Sequence, residues 1–427
     1  MRHFITCCLV LCLTVSNLTA QRADSAATAR RLMRGATAAL AKGDTLAAAD
    51  SVLAAARSWP TQPAYWLATA RWQGLAGRPA VALEALATLS ALGGGWQPDD
   101  PRLAPLARQP GFAALRRPEV SSRSARVATL PDPDFHPEGV AWDPRTRRLF
   151  VGSVHRGSVV VIGDDGVVTS FVPAGSSGLR AVFGVLADTA RNLLWVSSGD
   201  VPEREGGVAT PRTPSAVFAF SLADGRLVRR WSFPGGDPAH LIGELVLAPD
   251  GMVWGTDSEQ PALYRVPSDS SRTVLERVAL SHPDWQSLQG LAFSEDGRQA
   301  WVADWTTGLF HLDLQVGVVT PVATPPGTTL LGIDGLYRVG AGHFLAIQNG
   351  ITPHRLAALD LDTRGTRLRA LRPLDHPPGG GEPTLGVVTE SGLLFVSGSL
   401  WPFYDGAGQL SPRAGRPMGE IRRIPWR

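Results

Sequence analysis

EGVAWDPRTRRLFVGS, running from Glu138 to Ser153, returns five more times in altered form. The copies are FGVLADTARNLLWVSSG from Phe183, GELVLAPDGMVWGTD from Gly243, QGLAFSEDGRQAWVAD from Gln289, DGLYRVGAGHFLAIQN from Asp334 and TLGVVTESGLLFVSGS from Thr384. Each reads as a short apolar strand, a tight polar turn and a second strand of alternating large apolar residues. The residue after each start is Gly139, Gly184, Glu244, Gly290, Gly335 and Leu385, at intervals of 45, 60, 46, 45 and 50. The long interval is explained by an insertion, Asp200 to Pro214. Phe150, Trp195, Trp254, Trp301, Leu345 and Phe395 recur in the second strand, where neighbouring units would pack. Six units of about fifty residues are the signature of a six-bladed β-propeller. A strand from Arg126 to Leu130 is placed to complete the last unit, which ends in Glu420 to Ile424, and so to cover an open sheet edge.

Upstream the texture differs. From Ala29 to Gly94 the chain is alanine-rich and repeats at 34: Leu32 with Trp66, Ala36 with Ala70, Gly43 with Gly77, Ala48 with Ala82, Val52 with Leu86. This resembles tetratricopeptide repeats. Asp99 to Arg117 is expected to supply capping helices, and Ser121 to Ser124 a polar link. The expected architecture is mainly β, a propeller over 121–427 preceded by a small all-α helical-repeat domain over 21–120. The helical part reads either as a peptide-binding module or as an appendage.

Residues 1–20 form a third segment, with a basic start at Arg2, an apolar run from Phe4 to Val15 and a small residue at Ala20. That pattern is a secretory signal peptide; an uncleaved anchor or lipid attachment at Cys12 are the alternatives. Cys7, Cys8 and Cys12 all lie within it, so the mature chain is expected to lack thiols and disulfides and to work in the periplasm or outside the cell. No transmembrane span is expected in the mature chain.

Composition narrows the partners. The 427 residues are 44% hydrophobic and 19% charged, with 41 basic against 38 acidic side chains and a net charge of +3. That describes a globular chain with no nucleic-acid-binding surface. Glycine (46) and proline (34) supply the many turns six blades need.

Blade topology brings the starts of the first strands to one channel mouth: Glu138, Phe183, Gly243, Gln289, Asp334 and Thr384, with Glu244 one place on. The loops between second and third strands add His155, Asp257, Asp304 with Trp305, Asn349, and Trp401 to Asp405, including Tyr404. Two carboxylates and a carboxamide from separate blades suit a hard cation with oxygen ligands. Glu138, Asp334, Gln289 and Glu244 are therefore the candidate ligands of one divalent cation, calcium first, with magnesium, manganese or zinc possible. Asp334 and His155 are the candidate catalytic groups. Asp257, Asp304, Trp305, Asn349, Trp401 and Tyr404 are candidate contacts for a small-molecule substrate or ligand.

PEGVAWDPRTRRLFV, LQGLAFSEDGRQAWVAD and IDGLYRVGAGHFLAI resemble the senescence-marker-protein/gluconolactonase/luciferin-regenerating-enzyme-like propellers, over about 300 residues from Arg126 onward. The resemblance implies a channel metal and hydrolysis of sugar lactones or other cyclic esters. Glu138 and Asp334 match the family's ligand positions, and the aspartate of IDG is its ligand and base. The family's asparagine before Gly290 is here Gln289. Its third-blade asparagine is Gly243, followed by Glu244 in place of aspartate, and its substrate-binding arginine is Leu241. Three readings are open: a metal-dependent hydrolase, a non-catalytic binding propeller, and an adaptor whose helical repeats recruit a protein partner.

Overall fold

The computed structural model describes residues 26–97, 99–115, 121–207, 215–236, 240–378 and 381–426. The signal-peptide reading of residues 1–20 and much of the insertion ending at Pro214 lie outside them. No helix among the described residues is long and apolar enough to cross a membrane. The chain divides into two compact units, one holding the helices and one holding every strand.

The helical unit consists of α1 (26–41), α2 (Thr45–Ser58), α3 (Pro63–Leu75) and α4 (Pro79–Ala91). Gly43 and Gly77 turn α1 into α2 and α3 into α4 with φ of 76° and 74°, a region few side chains tolerate. Asp44 caps α2 by accepting from Ala47 N, and Pro63 and Pro79 open α3 and α4. The repeated small residues Ala36, Ala48, Ala70 and Ala82 are buried at 2% exposure or less. The capping segment departs from expectation. It forms one short 3-10 helix, Pro101–Leu106, because Pro105, inside it, lacks the amide that an α-helix would bond to the Pro101 carbonyl. Leu103 and Leu106 still bury, alongside Leu86 and Leu89.

The second unit is a six-bladed propeller of six four-stranded antiparallel sheets. Its closing sheet runs β1 (Ala125–Thr129), β24 (Glu420–Ile424), β23 (Gly392–Ser397), β22 (Gly386–Thr389), so the N-terminal strand covers the last blade as expected. The other inner strands are β2 (Pro137–Asp143), β6 (Ala181–Asp188), β10 (Ile242–Leu247), β14 (Leu288–Phe293) and β18 (Ile333–Gly340). In the last blade the inner strand starts at Gly386, two residues after the expected Thr384. Thr384 instead donates its hydroxyl to the Glu138 carbonyl, tying that blade to the first. The Ser121–Ser124 link is held to the propeller: Ser124 N and Arg123 N donate to Asp375, and Arg422 donates to the Ser124 carbonyl.

The recurring large residues fill the seams between blades. Phe150 packs with Val182 and Phe218, Trp195 with Leu245 and Tyr264, Trp254 with Phe293 and Phe310, and Trp301 with Leu336 and Phe344. Phe395 packs back against Leu345 and Leu356. In the seam between last and first blades Val396 and Ile421 pack with Val140, Val151 and Phe135.

Candidate functional site

Five inner strands share a defect near their start. Pairing with the second strand slips between Pro137 and Val140, Val182 and Val185, Ile242 and Glu244, Leu288 and Leu291, and Ile333 and Gly335. Each slip is a β-bulge, which leaves a residue out of the ladder and re-aims its side chain. The residues inside the bulges include Glu138, Phe183, Gly243, Gln289 and Asp334, five of the six expected mouth positions. The glycines beside two of them are fixed sterically. A Cβ on Gly139 would lie 2.1 Å from Phe183 O, and one on Gly290 would lie 2.5 Å from Leu336 N. Adjacent inner strands thus meet backbone to backbone around the channel.

Asp334 is the electrostatic hub. It is buried, and Oδ2 accepts from Asn349 Nδ2 at 2.7 Å. Burial pushes its pKa up to about 7, against which the Asn349 bond pulls. Glu138 is raised well above the ordinary glutamate range by burial first and by Asp334 second. Its Oε2 accepts from Trp401 Nε1 at 2.9 Å. Glu382, in the loop before β22, is raised to about 7 by burial and by Asp334. Glu244 is raised by burial and also feels Asp334. None of these four carboxylates enters an ion pair among the described residues. Like charges gathered without a counter-ion favour uptake of protons or a cation.

The expected ligand-contact residues divide. Asn349 and Trp305 form a chain onto Asp334: Trp305 Nε1 donates to Asn349 Oδ1 at 2.8 Å, which turns the amide nitrogen toward Asp334 and the Pro383 carbonyl. Trp305 itself is 43% exposed. Trp401 holds Glu138 and stacks edge-on against His136, with ring centroids 4.7 Å apart. Tyr404 Oη lies 3.1 Å from His136 Nδ1 and 3.2 Å from His155 Nδ1. Because His155 Nδ1 also lies 2.7 Å from the Glu203 carbonyl, that nitrogen carries the proton and Nε2 is the basic one.

Asp257 and Asp304, also expected as ligand contacts, are held by the protein's own donors. Asp257 accepts from the amides of Leu241, Glu259 and Gln260 and from His240. Asp304 accepts from those of Gln286, Ser287, Thr306 and Thr307. Both are completely buried and close their own loops. A carboxylate whose oxygens are saturated by backbone amides has little left for a ligand. Glu244 accepts at Oε2 from Leu291 N at 3.0 Å in the next blade while still feeling Asp334. Gln289 donates Nε2 to Ser287 Oγ, and its Oε1 lies 3.1 Å from where a Gly243 side chain would begin, so the longer amide occupies the space Gly243 vacates.

Three site residues escaped the sequence reading. Glu382 lies in a glycine-rich stretch that reads as a plain loop. His136, two residues before Glu138, is completely buried with φ of 46°, and burial pulls its pKa down to about 3. Ser399 stands 3.1 Å from His136 Nε2. The HPEG string carried the only available signal for His136.

The donor chemistry at the mouth is all oxygen: two bulge carboxylates, a third from Glu382 and the Gln289 amide. That set suits a hard divalent cation, although among the described residues no group of three or more His, Cys, Asp and Glu side chains converges as a ready ligand set. The fold and this acid-lined channel define a six-bladed propeller with a polar, buried mouth. No protein-family model and no curated protein matches the chain. Solved structures resemble it. The gluconolactonase XC5397 from Xanthomonas campestris shares 18% identity over 68% of this chain and 86% of that one, with a TM-score of 0.44. A luciferin-regenerating enzyme shares 12% over 71% and 95%, with a TM-score of 0.48. Virginiamycin B lyase from Staphylococcus aureus shares 10% over 72% and 100%, with a TM-score of 0.44. The assignment of six blades rests on the strand order itself.

Proposed function

We propose that the channel mouth is the active site of an exported, divalent-metal-dependent hydrolase of a lactone or related cyclic ester. The observation that carries this reading is the pair Glu138 and Asp334, both buried and electrostatically linked, with the half-buried Glu382 also feeling Asp334 and none of the three in an ion pair among the described residues. Glu138 and Asp334 would hold the cation, with Gln289 as a weaker third donor and calcium the first candidate for an all-oxygen set. When bound, the cation would polarise the ester carbonyl and acidify a water. Asp334 would accept the water's proton, and Asn349, oriented by Trp305, holds that carboxylate in place. Trp305 presents an exposed face to the cyclic substrate. Trp401 fixes Glu138. His155 could exchange protons at Nε2 further out. Export to the periplasm or beyond follows from the leader-like residues 1–20. The tetratricopeptide-like helices would serve as a docking module.

The test is melting of the purified protein with calcium, magnesium, manganese or zinc, alongside hydrolysis of a lactone panel. A cation that binds only the folded chain raises Tm with the logarithm of its concentration. Wild type should shift and Asp334→Ala should respond much less. If no ion shifts the melting and no lactone is opened, the reading fails. One observation favours a non-catalytic binding propeller: Glu138 and Asp334 each already accept a neutral hydrogen bond, from Trp401 and Asn349. An ion-induced shift without hydrolysis would select that reading.

A further inference from the structure

The inner strands enclose a second space beyond the mouth. A cavity of about 680 Å³ is lined by residues of every inner strand, reaching from Gly184 and Glu244 beside the bulges to Pro249 and Arg338 further along the channel. Its walls are largely aliphatic and aromatic, including Val140, Leu186, Val246, Phe293, Leu336 and Val387. The size falls within the range of small-molecule sites, about 300–1,000 Å³. One buried carboxylate, Glu244, faces this apolar lining. At the rim, Arg338 and Glu295 face each other at 4.0 Å.

Glu244 breaks the internal symmetry. Its counterparts in the other repeats are Gly139, Gly184, Gly290, Gly335 and Leu385. Its hydrogen bond to Leu291 N does not account for a charge, because the carbonyl of a glutamine would accept that bond as well. A buried ionisable group carries a desolvation cost that a neutral amide avoids. No ion pair to Glu244 occurs among the described residues, and one carboxyl oxygen is left beyond the Leu291 bond. An apolar chamber with one buried carboxylate, the rim Glu295 facing Arg338, suits an apolar body with a protonated amine at its tip.

We propose that this chamber is a second binding site, taking an apolar primary amine whose ammonium group donates to Glu244. The proposal is independent of the hydrolase reading, since it requires neither the mouth carboxylates nor a cation. Isothermal titration of the full-length protein at pH 7 tests it, with 4-phenylbutylamine as the probe and 4-phenylbutan-1-ol as its neutral match. The amine should bind saturably and at least ~10-fold tighter than the alcohol, as a charge-assisted bond implies. Glu244→Gln, which keeps the bond from Leu291 N, should reduce the amine to the level of the alcohol. Val387→Trp, which fills the chamber wall, should weaken both ligands, and Asp334→Asn, which removes a charge that Glu244 feels, should weaken neither. Equal affinity of amine and alcohol overturns the proposal, as does undiminished amine binding by Glu244→Gln. Loss of amine binding in Asp334→Asn, with Glu244→Gln unaffected, would move the site to the mouth and overturn it too. So would the absence of saturable binding in the millimolar range.

Discussion

Asp334 and its neighbours set the acid–base behaviour of the folded chain. Asp334 and Glu382 titrate near 7, against ordinary values of 3.8 and 4.5. Between those limits the folded chain holds protons that the unfolded chain has released. Stability from this source therefore falls as pH rises from about 4 to 7. His136 works the other way. Its pKa of about 3, against an ordinary 6.5, leaves it neutral in the fold, so its contribution is complete above pH 6.5 and is lost as pH falls toward 3. Glu138 and Glu244 are raised as well, so the carboxyls outnumber the histidine. The metal-free protein should melt higher at pH 5 than at pH 7.5, and Asp334→Asn should flatten that slope while raising Tm at pH 7.5. Calorimetry in chelator-treated buffer at the two pH values measures both. A Tm at pH 7.5 equal to or above that at pH 5 would contradict the assignment.

At the scale of the element, the bulged inner strand is the unit that makes the site. A one-residue defect is enough to turn Glu138, Gln289 and Asp334 out of register with the ladder. The neighbouring glycine lets the next strand approach. Gly290→Ala would set a methyl 2.5 Å from Leu336 N and 2.8 Å from Asp334 O. Backbone must move, at a cost of about 1–3 kcal/mol, and the start of β18 carrying Asp334 should move with it. Gly35 in α1 is the contrasting position, with nothing within 4 Å of its missing side chain. Gly35→Ala should stabilise the helical unit by about 0.5–1 kcal/mol. Denaturant titrations of the two variants should move their midpoints in opposite directions. A neutral Gly290→Ala would show that the strands do not meet as described.

For the whole molecule, stability depends on seams and on closure. Trp301 is 4% exposed, packs across to Leu336 and Phe344 of the next blade, and donates Nε1 to the Gly365 carbonyl at 2.8 Å. Trp301→Ala should cost about 3–5 kcal/mol, from lost burial and the cavity left behind. Closure depends on β24, which pairs β23 on one side and β1 on the other. A chain ending at Met418 would strip the last blade of that strand, leave β1 without a neighbour and expose a sheet edge. Such a chain should lose cooperative thermal unfolding and aggregate. Scattering during a melt would reveal it, and a sharp unaltered transition would contradict the role given to closure.

The sequence by itself determined the six repeats, the seam residues and the closing strand, because these follow from period, alternation and burial, which are written locally along the chain. It also placed Glu138, Gln289 and Asp334 near one another, since repeat position fixes a residue's place around the axis. Only the tertiary structure decided how each carboxyl group is used. Asp257 and Asp304 end strands that reach the same end, yet one oxygen of each is taken by amides of its own turn and the other by an earlier segment, His240 for Asp257 and the amides of Gln286 and Ser287 for Asp304. Glu382 feels Asp334 from another blade, and His136 meets Ser399 and Tyr404 across separations of 263 and 268 residues. Glu244, one place beyond the mouth position, faces the apolar chamber instead. Hydrogen-bond partners and desolvation arise where distant segments meet, and no local pattern in a single chain encodes which donor reaches which acid.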